Sequence, residues 1–316
     1  MIVVVANPNA GYLKRRTQAD GVDKLRQVLG SHGQLLLTHN TEALLVELQR
    51  LNPQDIRALV PFGGDGTVSA VIGAAAKVWG EQHLPPLFLV HAGTMNMIAA
   101  DVHPKTAPID ALQWLIAHRD QLEHHHTTRY PIKTSTDQYG FVFGFGTTVN
   151  FMHAYYQRGS GPVAALRLIG RIVLEVLVNG PLIRALFATV AGRVRFNGQA
   201  AQGFMWQVAL ALSILRLPLG AKVSTSGGPK AKADLCLIHG SPNKLALVFN
   251  LWRIWRGGWP ASLGVPRQTL HSVEFDFNQP TAWQLDGDIQ APIEGLTIAV
   301  APAMRFISAA PHEQRA

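Results

Sequence analysis

The segment with the clearest chemical potential lies between an apolar run, residues 58–62, and a helical stretch, residues 68–78. It combines three glycines with an aspartate and a threonine: Gly63, Gly64, Asp65, Gly66 and Thr67. A strand, a glycine turn and a helix in this order direct backbone N–H groups at a phosphate. The glycines permit close approach of a ligand and positive φ angles, and Asp65 offers a carboxylate to Mg²⁺. The segment therefore predicts phosphate binding, with an ordinary tight turn as the alternative.

The chain up to about residue 120 alternates strand-like and helical runs, which is typical of a parallel sheet with helices on both faces. We expect strands at 2–6, 34–38, 58–62 and 87–90. We expect helices at 20–29, 41–51, 68–78, 95–100 and 109–118. Ligands of such sheets bind beyond the carboxyl ends of the strands. The loops at those ends are 7–11, 38–40, 63–67 and 91–96.

After Thr127 the pattern changes to short strand-like runs separated by turn residues, which predicts a mostly antiparallel β-sandwich domain. Two helical insertions interrupt it, at 163–188 and at 245–256. We place the domains at 1–126 and 127–299, with about 300–316 as a candidate to pack back onto the first.

The composition narrows the class of protein. With 316 residues, 47% of them hydrophobic and 15% charged, the chain can bury sizeable cores. A single cysteine excludes a disulfide framework, and the N-terminus lacks the features of a signal peptide. No apolar stretch is long enough to span a membrane, so we predict a cytoplasmic protein, with peripheral contact to the inner face of the membrane as an extension. The net charge of +8 suits polyanionic ligands, but the cations are scattered and no nucleic-acid motif is present, so we expect no nucleic-acid partner.

Four polar segments follow one another along the chain. The first is the turn formed by Asn7, Pro8, Asn9, Ala10 and Gly11. The second is Gly63–Thr67, the third runs from Gly93 through Thr94 to Asn96, and the fourth is the acidic turn Asp286–Asp288. In this order they resemble the diacylglycerol kinase catalytic-domain family, in the bacterial soluble lipid kinase branch that is related to sphingosine kinases. The resemblance implies an α/β nucleotide-binding domain followed by a β-rich lipid-substrate domain.

The resemblance also implies roles for individual residues, with ATP and Mg²⁺ as cofactors. The residues expected to line the nucleotide site are Asn7, Pro8, Asn9, Ala10, Gly11, Thr38, Gly63, Gly64, Asp65, Gly66, Thr67, Gly93, Thr94 and Asn96. Asp65 would contact the metal or the transferring phosphoryl group. Asp288 would accept the proton of the lipid hydroxyl, whereas Asp286 has a plain turn role as its alternative. Asn96 has helix capping as its alternative. Asp234 is a weaker candidate for a second metal, because the acidic pattern of the family is contracted there.

Four residues at three places depart from the family pattern. Ser69 and Ala70 stand where an Asn-Glu pair is usual, and Met97 stands where many members have Asp. Asp288 is one methylene shorter than the usual Glu, and a displacement of about 1 Å can cost about a hundredfold in rate. These departures suggest an outlying subgroup, an altered substrate or reduced activity.

The two helical insertions mix apolar or aromatic residues with cations. In 166–174 aliphatic residues alternate with Arg167 and Arg171, and in 252–259 three tryptophans accompany two arginines. Such segments suit a helix at a lipid interface. The alternative is ordinary amphipathic packing against the β domain.

Three functions therefore remain. The first is an ATP-dependent kinase of a diacylglycerol-like lipid that works at a membrane surface. The second is a nucleotide-binding pseudokinase or lipid sensor, which the three departures motivate. The third is an activity like that of NAD kinase, which the residues at Ser69 and Ala70 disfavour. A homodimer through an exposed sheet edge is an additional open expectation.

Overall fold

The computed structural model describes residues 1–8, 11–14, 18–93, 96–157, 162–214 and 234–309, and the statements below concern these residues. The strands are β1 Ile2–Ala6, β2 Gly33–Leu37, β3 Ala58–Phe62, β4 Leu87–Phe88, β5 His126–Arg129, β6 Ile132–Thr134, β7 Tyr139–Gly140, β8 Val142–Gly146, β9 Val190–Phe196, β10 Gln202–Trp206, β11 Val208–Leu212, β12 Leu235–Gly240, β13 Arg267–Leu270, β14 Ser272–Leu285, β15 Asp288–Val300 and β16 Met304–Ile307. The helices are α1 Gly11–Lys14, α2 Gln18–Leu29, α3 Thr41–Gln49, α4 Asp65–Trp79, α5 Met97–Val102, α6 Pro108–Ala117, α7 Thr147–Tyr156, α8 Pro162–Val178, α9 Pro181–Leu186, α10 Lys244–Phe249 and α11 Leu251–Trp255.

The chain forms two compact units. The first comprises Met1–Arg129 and the chain from Pro302 onward, and the second comprises Tyr130–Ala301. The first unit contains a six-stranded sheet in the order β2-β1-β3-β4-β16-β5. All neighbours in it run parallel except β16 and β5. Every residue of β1 and β3 is buried, as expected for central strands of a sheet that is covered on both faces.

The second unit is built around a ten-stranded sheet whose pairs are antiparallel, in the order β13-β12-β11-β8-β14-β15-β6-β7, with β9 between β14 and β10. The long hairpin β14–β15 turns at Asp286 and Gly287, whose φ angles are 53° and 92°. Two successive positive φ angles are the requirement of the tight hairpin turn that Asp-Gly favours. The prediction of a parallel α/β domain followed by an antiparallel β domain is confirmed.

Several element bounds differ from the sequence prediction for identifiable reasons. The insertion at 163–188 forms two helices, because Asn179 adopts a φ of 47° and Pro181 begins a new helix. Not all strands of the second unit are short: β14 runs from Ser272 to Leu285, because bulges interrupt its register but not the strand. Helix α5 begins at Met97, since Asn96 before it is left-handed with a φ of 51°. In the described parts of the chain no helix combines the length and the apolarity that a bilayer crossing requires.

The core of the second unit contains a histidine in an aromatic cluster. His239 is only 6% exposed, and its ring lies 4.2 Å from that of Trp206 and 5.6 Å from that of Phe196. Both of its ring nitrogens are buried without a hydrogen-bond partner among the described residues. Burial lowers the pKa of His239 from 6.5 to about 4, so the ring is neutral at pH 7.

We predict that His239→Phe makes the protein less sensitive to acid. The unfolded chain binds a proton at His239 near pH 6.5, whereas the folded chain binds it only near pH 4. The stability contributed by the neutral ring is therefore complete above pH 6.5 and is lost as the pH falls to 4, up to about 3 kcal/mol. Urea unfolding at steps between pH 7 and pH 4 measures this, with His153→Phe at an exposed position of the same unit as control. Equal slopes of stability against pH in His239→Phe and wild type would contradict the prediction.

Candidate functional site

The carboxyl ends of the first three strands of the chain lie side by side in the first unit. Ala6 at the end of β1 pairs with Leu37 at the end of β2 and with Phe62 at the end of β3. The residues that follow these ends are Asn7, Thr38 and Gly63. Thr38 is buried, and its N–H donates to the carbonyl of Ala6 at 3.1 Å. The shared register thus brings three of the predicted loops to one edge of the sheet.

The fourth loop is joined to the first through the backbone. The N–H of Tyr12 in α1 donates to the carbonyl of Ala92 at 3.0 Å, and the ring of Tyr12 meets that of Phe62 edge-on at 5.7 Å. Pro8 is buried and Asn7 half-buried at the start of this loop, and Gly11 is the first residue of α1. The other predicted residues of these loops, Asn9, Ala10 and Thr94, lie outside the described residues.

The glycines of the third and fourth loops pack directly on each other. A Cβ atom placed on Gly93 would lie 2.3 Å from the Cα of Gly64, and one placed on Gly63 would lie 2.2 Å from the Oγ1 of Thr67. Positive φ angles are not the reason for these glycines, since Gly63, Gly64, Gly66 and Gly93 are not among the residues with φ above zero. The glycine segment therefore does not use the positive φ angles that glycine permits. The glycines permit close contact between two loops of the site.

Asp65 links the same two loops through its side chain. It is buried, and its Oδ2 accepts from the N–H of Met97 at 3.1 Å while its Oδ1 accepts from the N–H of Ile98 at 3.2 Å. A carboxylate at this place stabilises α5, because the first N–H groups of a helix lack acceptors within the helix. Asp65 thus positions the fourth loop, a role that the sequence pattern did not reveal. The role of Asp65 at a metal or phosphoryl group stays a prediction.

Asn96 clamps the fourth loop rather than capping α5 with its side chain. Its Oδ1 accepts from the N–H of Gly93 at 2.7 Å, and its Nδ2 donates to the carbonyl of Gly93 at 2.9 Å. No side-chain bond from Asn96 to the N–H groups of α5 is formed. Asn96 thus stands at the N-cap position of α5 without a side-chain cap bond, and its side chain instead holds Gly93 against Gly64.

The start of α4 has the properties of an anion site. The helix begins at Asp65 and runs for 15 residues, so its positive end faces the glycine segment. The carbonyl of Gly64 accepts from the N–H groups of Thr67 and Val68, at 2.9 and 3.1 Å. The N–H of Gly66 has no acceptor among the described residues. A phosphate could accept a hydrogen bond there.

His91 is a residue of the fourth loop that we did not predict. Its two ring nitrogens are buried without partners in the described part of the chain, and its ring meets that of His103 edge-on at 5.2 Å. Burial, followed by His103 and Lys105, lowers the pKa of His91 from 6.5 to about 4. The loop therefore carries a neutral ring at pH 7. Its place directly after a strand in a predicted ligand loop was the available signal.

The acidic turn of the second unit contains two carboxylates with different surroundings. Asp286 is buried, and its Oδ1 accepts from the N–H groups of Phe141 and Val142, each at 2.8 Å. Asp288 is exposed, and its carboxylate has no hydrogen-bond partner among the described residues. Asp286 therefore secures the hairpin to β8, whereas Asp288 is available for chemistry.

The surroundings of Asp288 favour a role of its carboxylate as a proton acceptor. The surrounding chain partly removes water from its carboxylate, which raises the pKa of Asp288. The hydroxyl of Tyr156 donates to the carbonyl of Gly287 at 3.0 Å. Burial, followed by the charge of Asp288, raises the pKa of Tyr156, so this hydroxyl stays protonated at pH 7.

Among the described residues, Asp234 does not lie in a cluster of metal ligands. Its Oδ1 is 3.2 Å from the Nδ1 of His271. Within the described ranges no group of three or more His, Cys, Asp or Glu side chains is placed to hold a metal ion. A metal at Asp234 stays a prediction for which we find no further ligand in these ranges.

Comparison with known proteins agrees with the motifs. Residues 1–124 match the family model described as the diacylglycerol kinase catalytic domain. A presumed lipid kinase of Streptococcus pneumoniae serotype 4 is 26% identical over 155 residues, which are 48% of this chain and 48% of that protein. The chain thus matches about half the length of this curated relative.

Solved structures match over nearly the whole chain. A diacylglycerol kinase from Bacillus anthracis has a TM-score of 0.69 at 14% identity, covering 97% of this chain and 96% of its own. The structure of a presumed diacylglycerol kinase from the same organism has a TM-score of 0.68 at 13% identity, with the same coverage. At such identities the likeness shows the fold, and residues 1–124 of this chain match the model of the diacylglycerol kinase catalytic domain.

Proposed function

We propose that this protein is an ATP-dependent lipid kinase that transfers the γ-phosphoryl group to a hydroxyl of a diacylglycerol-like lipid. The observation that carries the proposal is the convergence of four loops at one sheet edge, where Asp65 and the Gly64–Gly93 contact hold two of them together. That convergence lies within the residues that match the diacylglycerol kinase catalytic domain.

The nucleotide half of the reaction depends on positioning and on charge neutralisation. The start of α4 would receive a phosphate on its N–H groups, and the net charge of +8 favours an anionic ligand. Asp65 is the first residue of α4, and its carboxylate is our candidate for contact with Mg²⁺ that arrives with ATP. Mg²⁺ would neutralise charge on the phosphates. The described residues form no cluster that would hold it without the nucleotide.

The acceptor half of the reaction requires that a hydroxyl lose its proton as it attacks in line. Asp288 is our candidate for the proton acceptor, because it is exposed and its pKa is raised. A raised pKa makes the carboxylate a stronger base toward the proton of the hydroxyl. Asp286 would keep the turn in place, and the two aspartates therefore divide a structural and a chemical role.

The test is phosphorylation of a lipid panel by purified protein with Mg·ATP and, in parallel, Mg·GTP. A labelled phospholipid made from a diacylglycerol is the expected product. ATP binding in a calorimeter together with no product from any lipid would favour the pseudokinase alternative. A specific observation motivates that alternative: both oxygens of Asp65 already bind backbone N–H groups.

We predict that Tyr156→Phe lowers kcat up to about tenfold and leaves KM for ATP unchanged. The change removes one hydrogen bond, worth about 0.5–1.5 kcal/mol, from the carbonyl of Gly287 next to Asp288. Steady-state kinetics with varied ATP and varied lipid separate kcat from KM. Tyr130→Phe is the control, since its hydroxyl has no partner among the described residues. A higher KM for ATP at unchanged kcat would contradict the prediction.

A further inference from the structure

Helix α8 of the second unit is mostly apolar, but only one of its sides is buried. Leu168, Ile172 and Val176 lie four residues apart and pack into a cluster with α7 and α9. The opposite side carries a stripe of exposed aliphatic residues at helical spacing: Val163, Leu166, Leu174, Leu177 and Val178. Each of these is between 62% and 75% exposed. Exposed apolar side chains grouped on one side of a surface helix mark an interaction site.

Helices α10 and α11 of the same unit also expose large apolar side chains. Leu247 and Val248 of α10 pack against the same cluster as α8. Phe249 at the end of α10 is 79% exposed and Trp252 in α11 is 62% exposed. The rings of Trp252 and Trp255 stack at 4.9 Å. Aromatic side chains of this size are seldom left in water without a partner surface.

Positive charge accompanies the exposed apolar residues. Residues 162–186 and 244–256 contain six Lys or Arg and one acid, Glu175. Glu175 accepts from the Nε of Arg171 at 2.7 Å and from the N–H of Leu182 at 2.9 Å. Its negative charge is therefore balanced by partners within α8 and α9. Arg167 has no carboxylate partner in the described part of the chain, and the guanidinium of Arg256 lies 4.5 Å from the ring centre of Trp252.

We propose that the exposed sides of α8, α10 and α11 form a docking surface for an anionic lipid bilayer. The aliphatic residues would enter the interface, the tryptophans would lie at the depth of the headgroups, and the arginines would bind lipid phosphates. A second copy of the chain fits less well, because a symmetric contact through this surface would place arginines against arginines. The proposal rests on the proposed function, since a kinase whose acceptor lies in a bilayer must work at its surface.

Sedimentation with vesicles tests the docking surface. Wild type is expected to sediment with vesicles of phosphatidylcholine and phosphatidylglycerol, and less with phosphatidylcholine alone or at high salt. Arg167→Gln with Arg253→Gln should weaken binding about fivefold per arginine. Leu166→Gln with Leu174→Gln should weaken it at least about tenfold. Met205→Gln, at a position on β10 that is 71% exposed, is the control and should bind as wild type.

Two results would overturn the docking surface. One is vesicle binding that neither pair of substitutions changes. The other is a wild-type dimer, seen by analytical ultracentrifugation, that the leucine pair dissociates while no vesicle binding is found. All four replaced positions are exposed, so the variants are expected to unfold at the same urea concentration as wild type.

A soluble acceptor separates the docking surface from the kinase activity. Both pairs of variants should phosphorylate a short-chain diacylglycerol that is monomeric in water at the wild-type rate. They should phosphorylate diacylglycerol in vesicles more slowly than wild type does. Vesicle binding without activity on either substrate would overturn the proposed function and keep the surface. Equal activity of wild type and variants on vesicles would overturn the surface and keep the function.

Discussion

Replacing Asp288 by asparagine is expected to lower kcat for lipid phosphorylation about 10²- to 10⁴-fold, the range usual for loss of a general base. Asparagine keeps the size of the side chain but cannot accept the proton. The hairpin should survive, because Asp286 and not Asp288 binds the backbone of β8. ATP affinity, measured by calorimetry, should stay at the wild-type value, which would place the defect in the chemical step.

Two further variants make the result specific. Asp276→Asn changes an exposed aspartate on β14, the strand that leads into the same turn, and should leave kcat unchanged. Asp288→Glu lengthens the side chain by one methylene to the residue common in the family, and it should keep most of the activity. Full activity of Asp288→Asn would show that Asp288 is not the base. Loss of ATP affinity in Asp288→Asn would show that this substitution disturbs more than the turn.

Replacing Gly93 by alanine is expected to weaken ATP binding about 5- to 150-fold. The new methyl group would lie 2.3 Å from the Cα of Gly64, so the two loops must separate. Overpacking of this kind costs about 1–3 kcal/mol, and the cost falls on the arrangement that would receive the phosphates. Calorimetry with Mg·ATP measures the affinity, and thermal unfolding measures any loss of stability.

A matched glycine provides the control for this variant. A Cβ atom on Gly203 of β10 would meet no atom within 4 Å, so Gly203→Ala should bind ATP as wild type does. Unchanged ATP affinity in Gly93→Ala would contradict a nucleotide site at these loops. A lower melting temperature with unchanged affinity would contradict it equally, because the contact would then serve only the fold.

Much of the fold follows from local pattern. The buried run 2–6 and the run 58–62 predict central parallel strands, and Asp286 with Gly287 predicts a tight hairpin turn, because each depends on residues adjacent in the chain. The four loops of the first unit could also be identified, since strand ends can be read from the sequence. The predicted bounds of helices and strands were less accurate where a single residue ends the element. Asn179 is an example, because its positive φ ends α8.

The motifs of the sequence determined by themselves which loops carry the candidate site and which family they resemble. Only the tertiary structure decided which contacts the residues in those loops make. Asp65 binds N–H groups 32 and 33 residues further along the chain, and Gly93 contacts Gly64 across two elements. It also decided that α8 buries one apolar side and exposes the other, although both sides have similar residues. The physical reason is that such partners are chosen by packing between distant segments, which no periodicity within a single segment encodes.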